Sequence, residues 1–214
     1  EPTLAALNAN KHVLLEKPIA TTIQDADRIV AAAETAAGQL MVAQIVRFDS
    51  RYVRVKQMLD SGELGDPISL HARRITSNAS QDNLRGRVSV QLFLGIHDYD
   101  AIRWLTGREF LHVHTESRIG MLAAQGYGVE DVAFTVGRLE GNAVACVESG
   151  WTLPREIPRG ADIKLEVIGT RGTARVDLVE QGLTVCVKGG RYERPSFGHA
   201  IGEEIADFIE GIAA

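Results

Sequence analysis

The first 46 residues alternate apolar runs of strand type with helical segments. Residues 13–15 form one short apolar run, and residues 40–46 form a second. Between them, residues 25–37 show an alanine-rich helical pattern that Thr21 or Thr22 can cap and that ends at Gly38. Short apolar strands joined by a helix are typical of a parallel, doubly wound sheet. The pattern therefore predicts two neighbouring parallel strands in this part of the chain.

From Ile68 onwards the apolar positions repeat with a period of two, the period of a strand that has one covered face. Short turns such as Glu140-Gly141-Asn142 favour antiparallel pairing of neighbouring strands. Helical patterns that can cover one face occur at residues 49–61, 97–106 and 203–212. The predicted strands are residues 68–75, 113–117, 132–139, 143–151, 163–168, 173–177 and 183–187.

These patterns predict an α/β (α+β) fold, with the end of a doubly wound parallel sheet followed by a large, mostly antiparallel open sheet. Residues 1–46 are interpreted as the C-terminal remnant of a dinucleotide-binding domain. Residues 47–214 are interpreted as an α/β sheet domain. No Gly-x-Gly-x-x-Gly stands between a strand and a helix, and the chain starts without Met and stops inside a helical pattern. We expect both ends to be cut and the isolated fragment to be inactive.

Composition narrows the possible partners. The net charge of −5 argues against nucleic acid, which proteins bind through clustered positive charge. No apolar run approaches the roughly 18 residues of a membrane span. Cys146 and Cys186 lie singly in apolar runs, which is typical of reduced core thiols in a cytoplasmic protein. His71, His112 and His114 have no carboxylate or cysteine at ligand spacing, so we expect no metal site.

Lys17 is the first candidate functional residue. The apolar run at 13–15 delivers Glu16 and Lys17 to the carboxyl end of a strand, just before Pro18, which stops the strand because it has no N–H to donate. Ligands of open α/β sheets bind at that edge. From spacing alone, a solvated surface lysine is an equally good interpretation.

His97 is the second candidate. The pattern predicts it at the start of the helix 97–106, where the positive end of the helix dipole disfavours imidazolium and leaves the ring able to accept a proton. Asp98 and Asp100 in the same turn act in the opposite direction. The alternative is a helix-capping histidine beside two aspartates that complement the dipole.

Five motifs follow one another along nearly the whole chain: KHVLLEKPIA at residues 11–20, RFD at 47–49, SGELG at 61–65, GIHDYDAIRWL at 95–105 and IGTRGT at 168–173. In this order they resemble the glucose-fructose oxidoreductase / inositol dehydrogenase / rhizopine catabolism (Gfo/Idh/MocA) family of NAD(P)-dependent oxidoreductases. The resemblance implies that residues 47–214 form the domain for substrate binding and oligomerisation. The resemblance implies a Rossmann-type dinucleotide domain, NAD or NADP as cofactor, and oxidation of a secondary alcohol of a polyol, inositol or sugar-like substrate.

The resemblance also implies roles for individual residues. Oxidation of an alcohol needs a base for the hydroxyl proton and a cation for the developing alkoxide. By resemblance, His97 is the base and Lys17 the cation, while Asp100 binds substrate hydroxyls. Glu16, Lys17 and Gln44 match positions along the nicotinamide half of the cofactor.

Phe93 departs from the family pattern. Many sugar and inositol dehydrogenases of the family have Asp four residues before the histidine, and an apolar ring there cannot orient Lys17 or relay a proton. The departure leaves a Lys17/His97 dyad, a different substrate, or a catalytically inactive member that serves in assembly or binding. A further alternative is an NAD-dependent glycoside-cleaving relative.

The predicted sheet has apolar side chains on both faces. In the strand 143–151, Val144 and Cys146 alternate with Ala145, Val147 and Trp151. Helices cover only one face, and soluble proteins rarely leave a large apolar face in water. We predict a homodimer or homotetramer that assembles through the open face, as family members commonly do.

Overall fold

The computed structural model describes residues 2–157, 160–178, 182–187 and 200–213. Contacts divide the chain into two compact units, one drawn from residues 1–48 and 198–214 and the other from residues 49–197. In chain order the helices and strands are α1 (Pro2–Asn8), β1 (Val13–Glu16), α2 (Ile23–Thr35), β2 (Leu40–Ala43), α3 (Ser50–Asp60), β3 (Pro67–Ser77), α4 (Gln81–Leu84), α5 (Ile96–Thr106), β4 (Phe110–Arg118), β5 (Val132–Leu139), β6 (Val144–Leu153), β7 (Ala161–Gly169), β8 (Gly172–Asp177), β9 (Gly182–Val187) and α6 (Ala200–Ala213).

The first unit is built on the two parallel strands that the sequence predicts. β1 pairs with β2 from Val13↔Leu40 to Glu16↔Ala43. Between them, α2 begins where the Thr22 side chain accepts a hydrogen bond from the backbone N–H of Asp25. β2 is shorter than the predicted strand 40–46, because Ile45–Phe48 forms a 3₁₀ turn.

Helix α6 belongs to the first unit, where it packs against the turn Ile45–Phe48. The sequence pattern identifies this helix but assigns it to the cover of the large sheet, and that assignment is wrong. A helical period shows that one side of a helix is buried, whereas the surface that buries it is decided by tertiary packing.

The second unit contains a seven-stranded sheet with the order β4-β5-β6-β3-β7-β8-β9. β3 and β6 are parallel, and the other neighbouring strands pair antiparallel. All seven predicted strands occur, and the largest shift is the start of β4 at Phe110 instead of residue 113. The prediction of a large, mostly antiparallel sheet after a parallel pair is confirmed.

Helices α3 and α5 pack beside each other, and α5 packs on β3 and β6. Side chains from both helices and from the sheet are buried in this core: Val55 and Met58 of α3, Ile102 and Leu105 of α5, Leu70 and Ala72 of β3, and Ala145 and Val147 of β6. The opposite face of the sheet presents Phe134 and Val136 of β5 and Val144 of β6, which are 44–47% exposed.

A buried ion pair joins α5 to β3. The guanidinium of Arg74 on β3 donates two hydrogen bonds to the Asp98 carboxylate, from Nε at 2.8 Å and from Nη2 at 2.9 Å. Their side chains are 7% and 1% exposed. Burial lowers the pKa of Arg74, but the attraction of Asp98 outweighs it and leaves the pKa raised. Burial also raises the pKa of the neighbouring Tyr52 phenol. Arg74 therefore keeps its positive charge, and both side chains of the pair are shielded from water.

Asp98→Asn is expected to destabilise the complete protein by about 3–5 kcal/mol, because it leaves the Arg74 charge buried without a carboxylate. The measurement is the free energy of unfolding in urea.

The matched control is Asp82→Asn. Asp82 accepts two hydrogen bonds of 2.7 Å from Arg155, in the same bidentate form, but both side chains are about half exposed. This variant is expected to leave the free energy of unfolding close to that of the wild type, because an exposed ion pair contributes little to stability. Equal losses in the two variants would contradict the assigned role of the buried pair.

Candidate active site

The carboxyl ends of β1 and β2 bring three predicted site residues to one edge of the first unit. Glu16 pairs with Ala43 as the last residues of the two strands, so Lys17 and Gln44 follow at neighbouring positions. Glu16 is exposed, whereas Lys17 and Gln44 are half-buried. The peptide bond between Lys17 and Pro18 is cis. The edge thus presents a carboxylate, an ammonium group and a carboxamide within a few residues.

A carboxyl group that the sequence analysis missed lies near the same edge. Glu204 in α6 is 4% exposed, and its Oε1 atom has no hydrogen-bond partner among the described residues. Burial raises the pKa of this carboxyl, and the negative charge of Glu16 raises it further. In the sequence, Glu203-Glu204 is typical of the solvated side of a helix, so no local signal marked Glu204 as buried.

His97 and Asp100 lie in the second unit, on α5. His97 is half-buried and Asp100 is buried. With 100° per residue, these two side chains leave α5 on the side opposite Asp98 and Ile102. The structure thus groups the predicted residues by unit, with Glu16, Lys17 and Gln44 in one and His97 and Asp100 in the other.

The helix containing His97 begins earlier than the sequence predicts. Residues Gln91–Gly95 form a π-helical turn that runs directly into α5, and the backbone N–H of Ile96 donates to the Gln91 and Leu94 carbonyls. His97 therefore lies inside a continuous helical stretch. The prediction that the positive end of a helix dipole acts on its ring is wrong, because the preceding turn already uses the local N–H groups. π-helical turns occur frequently at functional sites.

Hydrogen bonds from Tyr99 also fix α5 on the sheet. Its hydroxyl donates to Oε1 of Gln91 at 3.1 Å and lies 2.8 Å from the Thr135 hydroxyl on β5. The Thr135 hydroxyl in turn lies 2.8 Å from that of Thr115 on β4. Burial raises the pKa of Tyr99, which keeps the phenol protonated. Residues 98 and 99 thus anchor the helix to different strands.

Phe93, one helical turn before His97, packs on Trp151 of β6 with the ring centroids 6.2 Å apart and the planes tilted by 45°. It is half-buried beside a small core that includes Leu94 and Trp151. Phe93 therefore contacts apolar side chains on the side that faces this core.

Among the described residues, no group of three or more His, Cys, Asp or Glu side chains could hold a metal ion. Within the same residues, no helix is long and apolar enough to cross a membrane. Cys146 is a free thiol of intermediate burial, and the Cys186 side chain lies outside the described part of the chain.

Two models of known families match the chain. Residues 52–175 match the GFO/IDH/MocA C-terminal domain, and residues 1–44 match the oxidoreductase family with an NAD-binding Rossmann fold. The chain belongs to the Gfo/Idh/MocA family.

Its relatives include inositol dehydrogenases. The chain is 28% identical to myo-inositol 2-dehydrogenase of Thermotoga maritima over 227 residues, which are 99% of this chain and 65% of that protein. It is 32% identical to inositol 2-dehydrogenase 2 of Saccharopolyspora erythraea over 181 residues, which are 81% of this chain and 49% of that protein. The chain therefore spans less than two thirds of the length of these relatives.

Solved structures share the fold. The aldose-aldose oxidoreductase from Caulobacter crescentus, complexed with glycerol, superposes with a TM-score of 0.84 at 22% identity, over 99% of this chain and 64% of that chain. Myo-inositol 2-dehydrogenase from Lactobacillus plantarum gives a TM-score of 0.80 at 22% identity, over 99% of this Gfo/Idh/MocA chain and 66% of that one.

Glu204→Gln is expected to stabilise the complete protein at about pH 8 and to leave its stability unchanged at about pH 4. The folded state holds the Glu204 proton above the ordinary pKa of 4.5, at which the unfolded chain releases it. The wild-type free energy of unfolding therefore falls as the pH rises from 4.5 to the raised pKa, and glutamine abolishes that loss.

Urea unfolding at both pH values is the measurement, with Glu203→Gln as the control. Glu203 precedes Glu204 in the same helix and is exposed, so its variant is expected to match wild type at both pH values. A Glu204→Gln variant that is less stable than wild type at about pH 8 would show that the carboxylate is ionised and paired.

Proposed function

We propose that this protein is an NAD(P)-dependent oxidoreductase that oxidises a secondary alcohol of a polyol, inositol or sugar-like substrate. The observation that supports it most is the position of Glu16 and Lys17 at the carboxyl end of β1, together with His97 and Asp100 on one side of α5, in a chain of this family. The names of the relatives, which include inositol 2-dehydrogenases, support the substrate class.

The edge of the first unit at which β1 and β2 end suits the nicotinamide half of a dinucleotide cofactor. The ends of two parallel strands form the edge at which such cofactors bind in open α/β sheets. Glu16, Lys17 and Gln44 supply charged and amide groups there, which suit the nicotinamide half of NAD or NADP. When bound, the cofactor accepts the hydride that leaves the carbinol carbon.

His97 is the base in the proposed reaction. Its imidazole takes the hydroxyl proton of the substrate, because alkoxide character must develop on the oxygen as the hydride departs. The ammonium group of Lys17 stabilises that negative charge. Asp100 accepts hydrogen bonds from other hydroxyls of the substrate and holds the carbinol carbon in place.

Two alternatives remain from the sequence. Phe93 in place of the family carboxylate favours a catalytically inactive member, and the family also includes enzymes that use NAD transiently to cleave glycosidic bonds. Product analysis separates these functions, because only net oxidation accumulates NADH or NADPH together with a ketone.

Lys17→Ala and His97→Ala are each expected to lower kcat of the complete protein by roughly 10²-fold or more. The measurement is the rate of NADH or NADPH formation with a polyol substrate. The thermal unfolding midpoint should change little in both variants, because neither side chain belongs to the buried core.

Two control variants match these in residue type. Lys11→Ala removes an exposed lysine before β1, and His112→Ala removes an exposed histidine on β4. Both are expected to keep wild-type kcat. If both Lys17→Ala and His97→Ala keep the wild-type kcat, the proposed roles are wrong. Lys17 is then a solvated surface lysine and His97 a helix-capping histidine.

We infer further that the protein is a homodimer or homotetramer assembled through the open face of the sheet. In the register of the sheet, Val136 pairs with Cys146 and Phe134 with Glu148, so Phe134, Val136 and Val144 form a continuous exposed apolar area. Covering such an area by a second copy removes it from water in both subunits.

Light scattering of the complete protein at micromolar concentration is expected to give at least twice the chain mass, and Val136→Lys is expected to lower it. The reason is that a second copy must desolvate the introduced ammonium group. The control is Ile23→Lys, which changes a 75% exposed apolar residue on α2 and should leave the mass unchanged. A monomeric wild-type protein would refute this assembly.

A further inference from the structure

Glu204 places a carboxyl group inside the first unit, close to the edge at which β1 and β2 end. The residue is 4% exposed, and its Oε1 atom has no hydrogen-bond partner among the described residues. A buried carboxylate that lacks a partner is costly, whereas the protonated form carries no charge. The burial of Glu204 therefore favours its protonated form.

The packing of α6 brings Glu204 towards the proposed cofactor edge. α6 contacts the turn Ile45–Phe48, which begins directly after Gln44. Burial raises the pKa of Glu204, and the negative charge of Glu16, the last residue of β1, raises it further. Two carboxyl groups thus lie close enough to affect each other at the end of the parallel strands, with Glu16 exposed and Glu204 buried.

The elements next to Glu204 also have cationic side chains. Lys17 follows Glu16 directly, and Arg47 lies in the turn that α6 contacts. The other ionisable side chains of α6 are exposed, namely Glu203, Asp207 and Glu210. Among the described residues, the causes that shift the pKa of Glu204 are its burial and the charge of Glu16. A charge that a ligand adds at the end of β1 therefore acts on the same proton.

The oxidised and reduced forms of a nicotinamide cofactor differ by one charge, which lies on the nicotinamide ring. The ring is a cation in NAD+ and NADP+ and is neutral in NADH and NADPH. In the proposed function this ring lies along Glu16. A nearby positive charge lowers the pKa of a carboxyl group, and the attraction extends to about 10 Å at moderate salt, so direct contact is unnecessary. The oxidised ring therefore opposes the effects of burial and of Glu16 on the Glu204 proton.

We propose that Glu204 discriminates between the two forms of the cofactor: binding of NAD+ or NADP+ releases its proton, and binding of NADH or NADPH leaves the proton in place. The inference rests on the proposed function and adds a specificity-determining residue to it. Since a proton and a cofactor must change each other's affinity by the same factor, the ratio of Kd for the reduced form to Kd for the oxidised form rises with pH.

The test measures both Kd values of the complete protein by calorimetric titration between about pH 5 and about pH 9, which covers the raised pKa values of buried glutamates. The ratio is expected to rise about 3- to 10-fold, the effect of two charges about 10 Å apart at an effective dielectric constant of about 20. Titration in buffers of different ionisation enthalpy counts the protons, and release is expected with the oxidised cofactor alone.

The same titrations are made with His97→Ala, because in the proposed function the imidazole also titrates near the nicotinamide ring. In that background Glu204→Gln should remove the rise of the ratio, since glutamine stays uncharged at every pH. Glu203→Gln is the matched control, because it removes an exposed carboxylate from the adjacent position of the same helix and should keep the rise. A merely structural role of Glu204 would change both Kd values together and leave the pH dependence of their ratio.

The outcomes separate this inference from the proposed function. If the protein binds both forms and the ratio does not change with pH, or if the oxidised form releases no proton, the role of Glu204 is wrong and the proposed function stands. A rise that persists in Glu204→Gln with His97→Ala also overturns the role. The proton count in the wild-type protein decides the question even if that variant does not fold. If neither NAD(H) nor NADP(H) binds, the proposed function fails and this inference fails with it.

Discussion

The buried pair of Arg74 and Asp98 is the interaction on which the second unit depends. Arg74 lies on β3, which has strands on both sides, and Asp98 lies in the first turns of α5. A buried charge is tolerated only when it is paired and hydrogen-bonded. If α5 rotated or slid on the sheet, both Arg74 and Asp98 would be left buried without a partner. The pair therefore specifies one orientation of α5. At 100° per residue, His97 leaves α5 about 100° and Asp100 about 160° around the helix from Asp98, so the pair also fixes the directions of these two side chains.

The π-helical turn before α5 adds a second constraint. Gly95 ends this turn, and a Cβ there would lie 3.0 Å from the Ser149 hydroxyl and 3.0 Å from the Tyr99 ring. Glycine thus lets the helix approach β6 closely while Tyr99 reaches Thr135. Close approach at Gly95 and ion pairing at Asp98 act within one helical turn of each other, and His97 lies between them. The packing of Gly95 and the ion pair of Asp98 therefore hold His97, the proposed base, in place.

Periodicity predicts those parts of the fold that depend on local pattern. The strands of the sheet were predicted from the period of two, and the parallel pair in the first unit from two apolar runs around a helix. The missed features depend on contacts between residues that are distant in sequence. Arg74 and Asp98 are charged residues 24 positions apart, and only the packing of α5 on β3 makes them partners. The parallel pairing of β3 with β6 and the position of α6 are likewise decided by tertiary packing.

The candidate site shows the same division. The position of Lys17 at the end of a strand could be predicted because an apolar run and Pro18 flank it, and Glu16 and Gln44 became candidates only through the family resemblance. The burial of Glu204 could not be predicted, because a glutamate on an amphipathic helix is ordinarily solvated. The π-helical turn also escaped prediction, since its residues Gln91–Gly95 match no simple period. Errors of this kind concentrate where the chain departs from regular structure, and such departures are common near functional sites.

Phe93 links stability to the proposed chemistry. Its ring packs on Trp151 at the edge of a small core, so a carboxylate at this position would be partly desolvated and would face apolar neighbours. Partial burial favours the neutral form of such a group. The surroundings of Phe93 therefore suit an apolar side chain better than a carboxylate. With an apolar ring at position 93, the orientation of His97 depends instead on Asp98 and on the sheet to which Asp98 is bound.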